Sequence, residues 1–227
     1  MRTAVLTAAA AAWSVPALAP LAPRLAAALR VPTTIDAGVA LTFDDGPHPQ
    51  GTPAILEVLA AHDATATFFM VGEQVLKSRA LAAEVVAAGH QVAIHGHRHR
   101  NLLRLAPAVI RDDLDRACDA IADATGEQPR LHRAPYGIYS WPALKIVRDR
   151  GWAPLLWSRW GRDWTRRATP EGIADTVGAG VKDGDVLLLH DADDYSAPGS
   201  WRRTAAALPF VLESIADAGL DCVSLGR

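Results

Sequence analysis

The chain has 227 residues, of which 50% are hydrophobic, and a formal net charge of -2. This length fits one large domain with a full core, and the near-neutral charge gives no reason to expect nucleic acid or an anionic membrane as a partner. The two cysteines, Cys118 and Cys222, are too few for a disulfide framework and lack metal-site spacing.

Residues 1–30 are rich in alanine and leucine and precede a more regular pattern. A single arginine, an apolar stretch and the triplet Ala17-Leu18-Ala19 are typical of a secretory signal peptide. The alternative is an additional N-terminal helix packed on the domain. Prolines break the apolar run, so we expect no stable membrane span beyond an N-terminal anchor. We therefore expect a secreted or cell-envelope protein, with a cytoplasmic one as the alternative, and a domain over residues 31–227.

After Val31, short apolar segments alternate with alanine- and leucine-rich segments of helical spacing. The predicted strands are residues 39–43, 66–71, 92–95, 131–133, 154–157, 186–189 and 222–225. The predicted helices are residues 52–62, 74–88, 107–125, 141–150, 170–181 and 201–218. This alternation predicts parallel β/α units in one α/β domain, with the sheet either open or closed into a barrel.

Reactive side chains stand where the predicted strands end. In a parallel sheet or barrel the carboxyl ends of the strands gather on one face, where binding and catalytic sites are built. We therefore expect one shared site from these residues: Asp44 and Asp45, His95 and His99, Arg133, Asp163 and Trp164, and His190.

The two histidines are four residues apart, so on a helical turn both imidazoles would share one side and could chelate a metal. A carboxylate as third ligand leaves a position for water, as in catalytic zinc sites. Adjacent Asp44 and Asp45 repel each other unless one is neutralised, and a cation bound by one leaves the other free as a base. His190 could protonate a leaving group. The same ligand set also holds iron(II) in oxygenases, but the paired acids and His190 favour hydrolysis.

Five ordered motifs make the chain resemble the polysaccharide deacetylases, the NodB-homology domain of carbohydrate esterase family four, from about Val39 onward. They are TFDDG at 42–46, HGHRH at 95–99, RAPYG at 133–137, DW at 163–164 and LLLH at 187–190. The resemblance implies a distorted (β/α) barrel of about seven parallel strands. The chain departs from the family pattern at Trp160, where an acid is common, and at Gly96, where Ser or Thr is frequent.

The resemblance also implies a metal and a pair of proton-transfer groups. A divalent ion, with zinc favoured, would be bound by Asp45, His95 and His99. Asp44 would be the general base that activates water, and His190 the general acid that protonates the departing amine.

Further residues would support these groups by the same resemblance. Arg133 would orient the general base, and Asp163 would tune Arg133 or the general acid. The backbone N–H of Tyr136 would stabilise the oxyanion, while Trp164 and Leu187 would shape the pocket for the acetyl methyl group.

The function expected from the resemblance is metal-dependent removal of acetyl groups from the N-acetylated sugars of chitin, chito-oligosaccharide or peptidoglycan. The partner would be an N-acetylated glycan, and we expect a monomer. One alternative is a hydrolase of small linear or cyclic amides, which a closed pocket without a sugar-sized groove would favour. A catalytically silent glycan-binding domain is the other, and the presence of Asp44 and His190 argues against it.

Overall fold

The computed structural model describes residues 13–225, and its centre is a seven-stranded parallel sheet. The strands follow the order β5-β4-β3-β2-β1-β7-β6, and their pairings are parallel. β5 and β6 are consecutive in the chain yet lie at opposite ends of this order, so the sheet curls into an incompletely closed barrel. The predicted distorted (β/α) barrel is confirmed. The bounds are β1 Ala40–Asp44, β2 Thr67–Met70, β3 Gln91–Ile94, β4 Leu131–His132, β5 Ala153–Pro154, β6 Arg159–Trp160 and β7 Val186–His190.

Helices connect the strands, and several of them begin or end at residues of known capping behaviour. Ser140 and Thr169 accept a backbone N–H at the start of their helices, each with proline in the first turn. Gly126 ends the longest of them in the left-handed conformation. The α-helices are α1 Pro23–Ala28, α2 Gly51–Ala61, α3 Gly72–Lys77, α4 Arg79–Ala87, α5 Pro107–Thr125, α6 Trp141–Asp149, α7 Pro170–Gly178 and α8 Ser200–Asp217.

Two predicted elements differ from the structure, and one strand was not predicted. The helix expected over 74–88 is two helices, because Ser78 adopts φ -137° and ψ 49° between α3 and α4. The two residues of β6 are too few to show a strand period, so this strand was not predicted. The strand expected over 222–225 is only an isolated bridge between Cys222 and Val39.

The two central strands are buried along their whole length. β1 and β2 have no exposed position, which is why they are almost continuously apolar in sequence. Thr42, the polar residue in the middle of β1, donates its hydroxyl to the Leu187 carbonyl oxygen at 2.6 Å. The strand ends are therefore fixed by the core, and the side chains that follow them are held in place.

The N-terminal segment packs on the domain where the structure describes it. A 3-10 helix, Val15–Leu21, and α1 bury Ala19 and Ala26, and Arg148 donates to the Leu29 carbonyl oxygen. The remainder of the predicted signal-like segment, residues 1–12, lies outside the described residues. Within residues 13–225 no helix combines the length and hydropathy that a bilayer span requires.

Candidate active site

The carboxyl ends of four strands meet around one cavity of about 230 Å³. Asp44 ends β1, His190 ends β7, His95 follows β3 and Arg133 follows β4. The structure thus brings the sequence-predicted residues to one face. Those that line the cavity are Asp44, Asp45, His95, His99, Tyr136, Trp164 and His190.

Asp45, His95 and His99 form a triad whose ligand atoms lie within 4.8 Å of one another. Oδ1 of Asp45 is 3.5 Å from Nε2 of His95 and 3.3 Å from Nε2 of His99. This buried oxygen accepts no hydrogen bond from the described part of the chain. Nδ1–H of His95 donates to the Arg133 carbonyl oxygen at 2.9 Å, which turns its Nε2 toward Asp45. An orphaned carboxylate oxygen facing two imidazole nitrogens fits a divalent metal.

The charge states of the triad also suit metal ligation. Burial alone would raise the pKa of Asp45, but the nearby imidazoles of His95, His190 and His99 lower it to about 2. Burial lowers the pKa of His99 to about 4. Asp45 is therefore ionised and His99 neutral at neutral pH, and these are the forms that bind a metal.

A buried carboxylate, Asp191, fixes the turn that carries Asp45. Asp45 adopts φ 85°, a strained value for a residue with a side chain. The next backbone N–H, of Gly46, donates to Oδ1 of Asp191 at 3.1 Å, and Thr52 donates its hydroxyl to Oδ2. A Cβ at Gly46 would stand 2.2 Å from Oδ2, so only glycine fits. Sequence reasoning missed Asp191, although its place directly after His190 at a strand end was a usable signal.

The histidine pair is brought together by a bend and not by the predicted helical turn. Gly96 adopts φ 83°, which reverses the chain between His95 and His99. Asp113 of α5 supports the bend, because its Oδ2 accepts the His97 backbone N–H at 2.8 Å. The left-handed backbone at Gly96 gives a physical reason for glycine where the family often has Ser or Thr.

Arg133 is completely buried and holds Asp44. Its Nη1 donates to Oδ1 of Asp44 at 2.7 Å, while Nε and Nη2 donate to the carbonyl oxygens of Leu155 and Leu156. The remaining carboxylate oxygen, Oδ2, is 3.7 Å from Nε2 of His95. Arg133 therefore occupies one oxygen of Asp44 and leaves the other facing the triad.

Asp163 holds His190 in the same way. Its Oδ1 is 2.9 Å from Nδ1 of His190, and its Oδ2 accepts the His190 backbone N–H at 2.7 Å and the Thr204 hydroxyl at 2.8 Å. Burial would lower the pKa of His190, but the charge of Asp163 and this hydrogen bond raise it to about 10. His190 is therefore protonated at neutral pH, as a general acid must be.

A row of indole rings forms one wall of the cavity. Trp157 stacks on Trp160 at a centroid distance of 5.7 Å, Trp160 contacts Trp164 at 5.6 Å, and Trp164 meets His190 edge-on at 5.3 Å. Trp160, which stands where the family commonly has an acid, is thus part of an aromatic wall. Neither Trp157 nor Trp160 could be distinguished from a core residue by sequence alone.

One residue expected at the pocket does not line this cavity. Leu188 lines the cavity, whereas Leu187 does not. Alternate residues of a strand face opposite sides, so the side of β7 that carries His190 also carries Leu188.

Two tyrosines complete the rim beside His99. Tyr136, with φ 61° and 56% exposure, meets the His99 ring edge-on at 4.5 Å. Tyr195, from the loop after β7, stacks on the same ring at 4.4 Å and donates its hydroxyl to Glu73 at 2.9 Å. Both tyrosines line the cavity.

Comparisons with known proteins agree with this arrangement. Residues 32–154 match the family described as Polysaccharide deacetylase. A chitooligosaccharide deacetylase from Bradyrhizobium sp. (strain ANU 289) is 37% identical over 190 residues, which cover 81% of this chain and 86% of that protein. The peptidoglycan-N-acetylglucosamine deacetylase PgdA of Listeria monocytogenes is 30% identical over 187 residues, or 82% of this chain and 38% of that protein.

A solved structure has the same fold. A family 4 carbohydrate esterase from Streptomyces lividans, in complex with acetate, superposes with a TM-score of 0.75. It is 29% identical, and the match covers 84% of this chain and 94% of that one.

Proposed function

Since the chain belongs to the polysaccharide deacetylase family and is an N-deacetylase, we propose that it hydrolyses the acetamide of N-acetylated sugars. The sugars would belong to chitin, chito-oligosaccharide or peptidoglycan. The reaction would use a divalent metal and release acetate. One observation carries the proposal. A single cavity brings together an Asp-His-His triad, a carboxylate held by arginine and an imidazole held by a carboxylate.

Asp45, His95 and His99 would hold the metal. Imidazole nitrogen and carboxylate oxygen are ligands that zinc favours, so zinc is the metal we propose. When bound, it would supply Lewis-acid polarisation of the acetamide carbonyl and lower the pKa of water.

Asp44 is the proposed general base. Arg133 engages its Oδ1, so Oδ2 is the atom that takes the proton from the attacking water. Because Arg133 is itself held by two backbone carbonyl groups, the carboxylate cannot rotate freely. General base catalysis by a group positioned in this way typically contributes a factor of about 10²–10⁴ in rate.

His190 is the proposed general acid. Nδ1 is committed to Asp163, which leaves the Nε2 proton for the amine nitrogen as the carbon–nitrogen bond breaks. The products are acetate and a free amino sugar. The backbone N–H of Tyr136 is the proposed oxyanion donor, and Trp164 with Leu188 would contact the acetyl methyl group.

The shape of the surroundings favours a glycan over a small amide. Tyr136 lines both the cavity and an adjoining groove of about 570 Å³. A small cyclic amide would not need such a groove. The predicted secreted or cell-envelope location and the monomeric state stay predictions.

Acetate release tests the proposal. The zinc-supplemented protein is incubated with N-acetylglucosamine oligomers, with peptidoglycan and with small cyclic amides, in parallel with the variant Asp44→Asn. We expect acetate from at least one glycan, and release from the variant that is slower by about 10²–10⁴. Turnover of the cyclic amides without acetate from any glycan would replace the proposal with the small-amide alternative.

A further inference from the structure

A second groove adjoins the cavity on the side of the histidine loop. It has a volume of about 570 Å³ and is lined by Arg100, Asn101, Arg104, Leu105, Tyr136 and Ile138. Tyr136 also lines the cavity that holds the triad. A glycan with one sugar at the triad could therefore place a neighbouring sugar in this groove.

The groove carries two guanidinium groups in different electrostatic situations. Arg100 forms an ion pair with Asp113, a carboxylate with 2% exposure that also accepts the His97 backbone N–H. This pair fixes Arg100 and largely neutralises its charge. Arg104 is exposed and makes no ion pair with any residue between 13 and 225, so its charge is free to meet a ligand.

The backbone that presents Arg104 is fixed at two points. Arg104 is the last residue of the 3-10 helix Leu102–Arg104. Oδ1 of Asn101 accepts the Leu103 backbone N–H at 3.0 Å, and the indole N–H of Trp13 donates to the Leu103 carbonyl oxygen at 3.2 Å. The guanidinium is thus carried by an ordered turn.

The remaining lining gives the groove a positive and partly apolar character. No carboxylate lines it among the residues that the structure describes. Glu73 does not line the groove and faces Arg98 and the Tyr195 hydroxyl. Leu105 and Ile138 offer apolar surface of the kind that packs against a sugar ring.

We propose that this groove binds a carboxylate-bearing sugar next to the sugar that is deacetylated, which makes an anionic glycan a better substrate than neutral chitin. The inference rests on the proposed function and narrows its substrate class. A guanidinium pairs with a carboxylate through charge-assisted hydrogen bonds, and Arg104 is the groove arginine that has no ion-pair partner among residues 13–225. Peptidoglycan strands without stem peptides meet this requirement, because the lactyl carboxyl groups of their muramic acid residues are then free carboxylates and not amides.

A matched pair of substrates tests the charge alone. Peptidoglycan-derived oligosaccharides with free lactyl carboxylates are compared with the same oligosaccharides after conversion of those groups to methyl amides. Acetate release is measured as kcat/KM for the full, metal-loaded chain and for Arg104→Gln, Arg104→Lys and Arg79→Gln. Arg79 is an exposed arginine on α4 that does not line the groove, so it controls for the loss of one surface charge.

We expect the wild-type kcat/KM to be about fivefold higher for the substrate with free carboxylates, because a solvent-exposed ion pair contributes an effect of that size. Arg104→Gln should abolish that preference, Arg104→Lys should restore part of it, and Arg79→Gln should keep it. Higher salt should weaken the preference, because exposed charges are screened. Equal kcat/KM for both substrates in the wild type, or an undiminished preference in Arg104→Gln, overturns the inference while acetate release still supports the deacetylase. Absence of acetate from every glycan overturns the proposed function itself.

Discussion

Arg133 and Asp44 form a buried ion pair in which Nη1 of the arginine lies 2.7 Å from Oδ1 of the aspartate. Because the arginine is anchored to the carbonyl groups of Leu155 and Leu156, the pair fixes which oxygen of Asp44 faces the triad. The same interaction therefore satisfies a buried charge and would position the proposed general base. Replacement of either Arg133 or Asp44 should therefore alter both the stability and the turnover of the protein.

Replacement of Arg133 should destabilise the protein strongly. Arg133→Met leaves the Asp44 carboxylate buried without a partner, and loss of one member of a buried pair costs about 3–5 kcal/mol in the free energy of unfolding. Urea denaturation measures this, with the exposed Arg79→Met as the matched control. An unfolding free energy equal to that of the control would mean that Asp44 does not depend on Arg133.

The two adjacent aspartates should separate in function. Asp44→Asn should reduce turnover by about 10²–10⁴ while the metal content stays at the wild-type level, because we propose Asp44 as the base and not as a ligand. Asp45→Asn should lose the metal, since it removes the carboxylate of the triad. Metal analysis and acetate release on both variants check this. Loss of metal only in Asp44→Asn would show that the two roles are reversed.

The pair of Asp163 and His190 predicts a pH dependence. Burial lowers the pKa of His190, but Asp163, with smaller contributions from Asp45 and Asp44, raises it from 6.5 to about 10. The raised pKa means that the stability from this pair is fully present below pH 6.5 and is lost as the pH rises through about 10.

Removal of that carboxylate should shift the alkaline limb of activity. In Asp163→Asn the pKa of His190 falls, so kcat should decline at a lower pH than in the wild type, along with a lower rate at neutral pH. Profiles of kcat between pH 6 and 11, together with unfolding free energies at the same values, measure both effects. An alkaline limb in the same place for both proteins would contradict the assignment of His190 as the general acid.

Asp191 should control metal affinity without touching the metal. Asp191→Asn leaves one carbonyl oxygen for two donors, Gly46 N–H and the Thr52 hydroxyl, and so loosens the turn that carries Asp45. Loss of such supporting contacts typically weakens metal binding by about 10–100-fold. Thr52→Ser, which keeps the hydroxyl, is the control. Metal affinity is measured by competition with a chelator. If Asp191→Asn binds the metal as tightly as the wild type, Asp191 has a role in packing alone.

The sequence was sufficient to place the polar centre of the site. Asp44, His95, Arg133 and His190 each follow an apolar segment, and parallel strands bring such ends to one face. The alternation of strands and helices was enough to predict parallel β/α units, whereas the barrel itself was implied only by the family resemblance.

The walls of the cavity could not be predicted, because they depend on the direction of side chains and on very short elements. Trp160 lies in a strand of two residues that has no detectable period. By contrast, strand alternation counted back from His190 was a usable signal for Leu188 over Leu187. The bend at Gly96 reaches the histidine geometry without the helix that the spacing suggested. The position of Asp191 after His190 was a usable signal, but its contacts with Gly46 and Thr52 are tertiary and could not be predicted.

The central claim is that acetate release requires a metal bound by Asp45, His95 and His99. The most direct measurement strips the protein with a chelator, then follows metal content and acetate release from a glycan substrate as zinc is added back to the same sample. We predict that activity disappears with the metal and returns in proportion to it, reaching its full value at about one zinc per chain, a single ion for a single triad. Undiminished acetate release from the folded, metal-free protein would contradict the account.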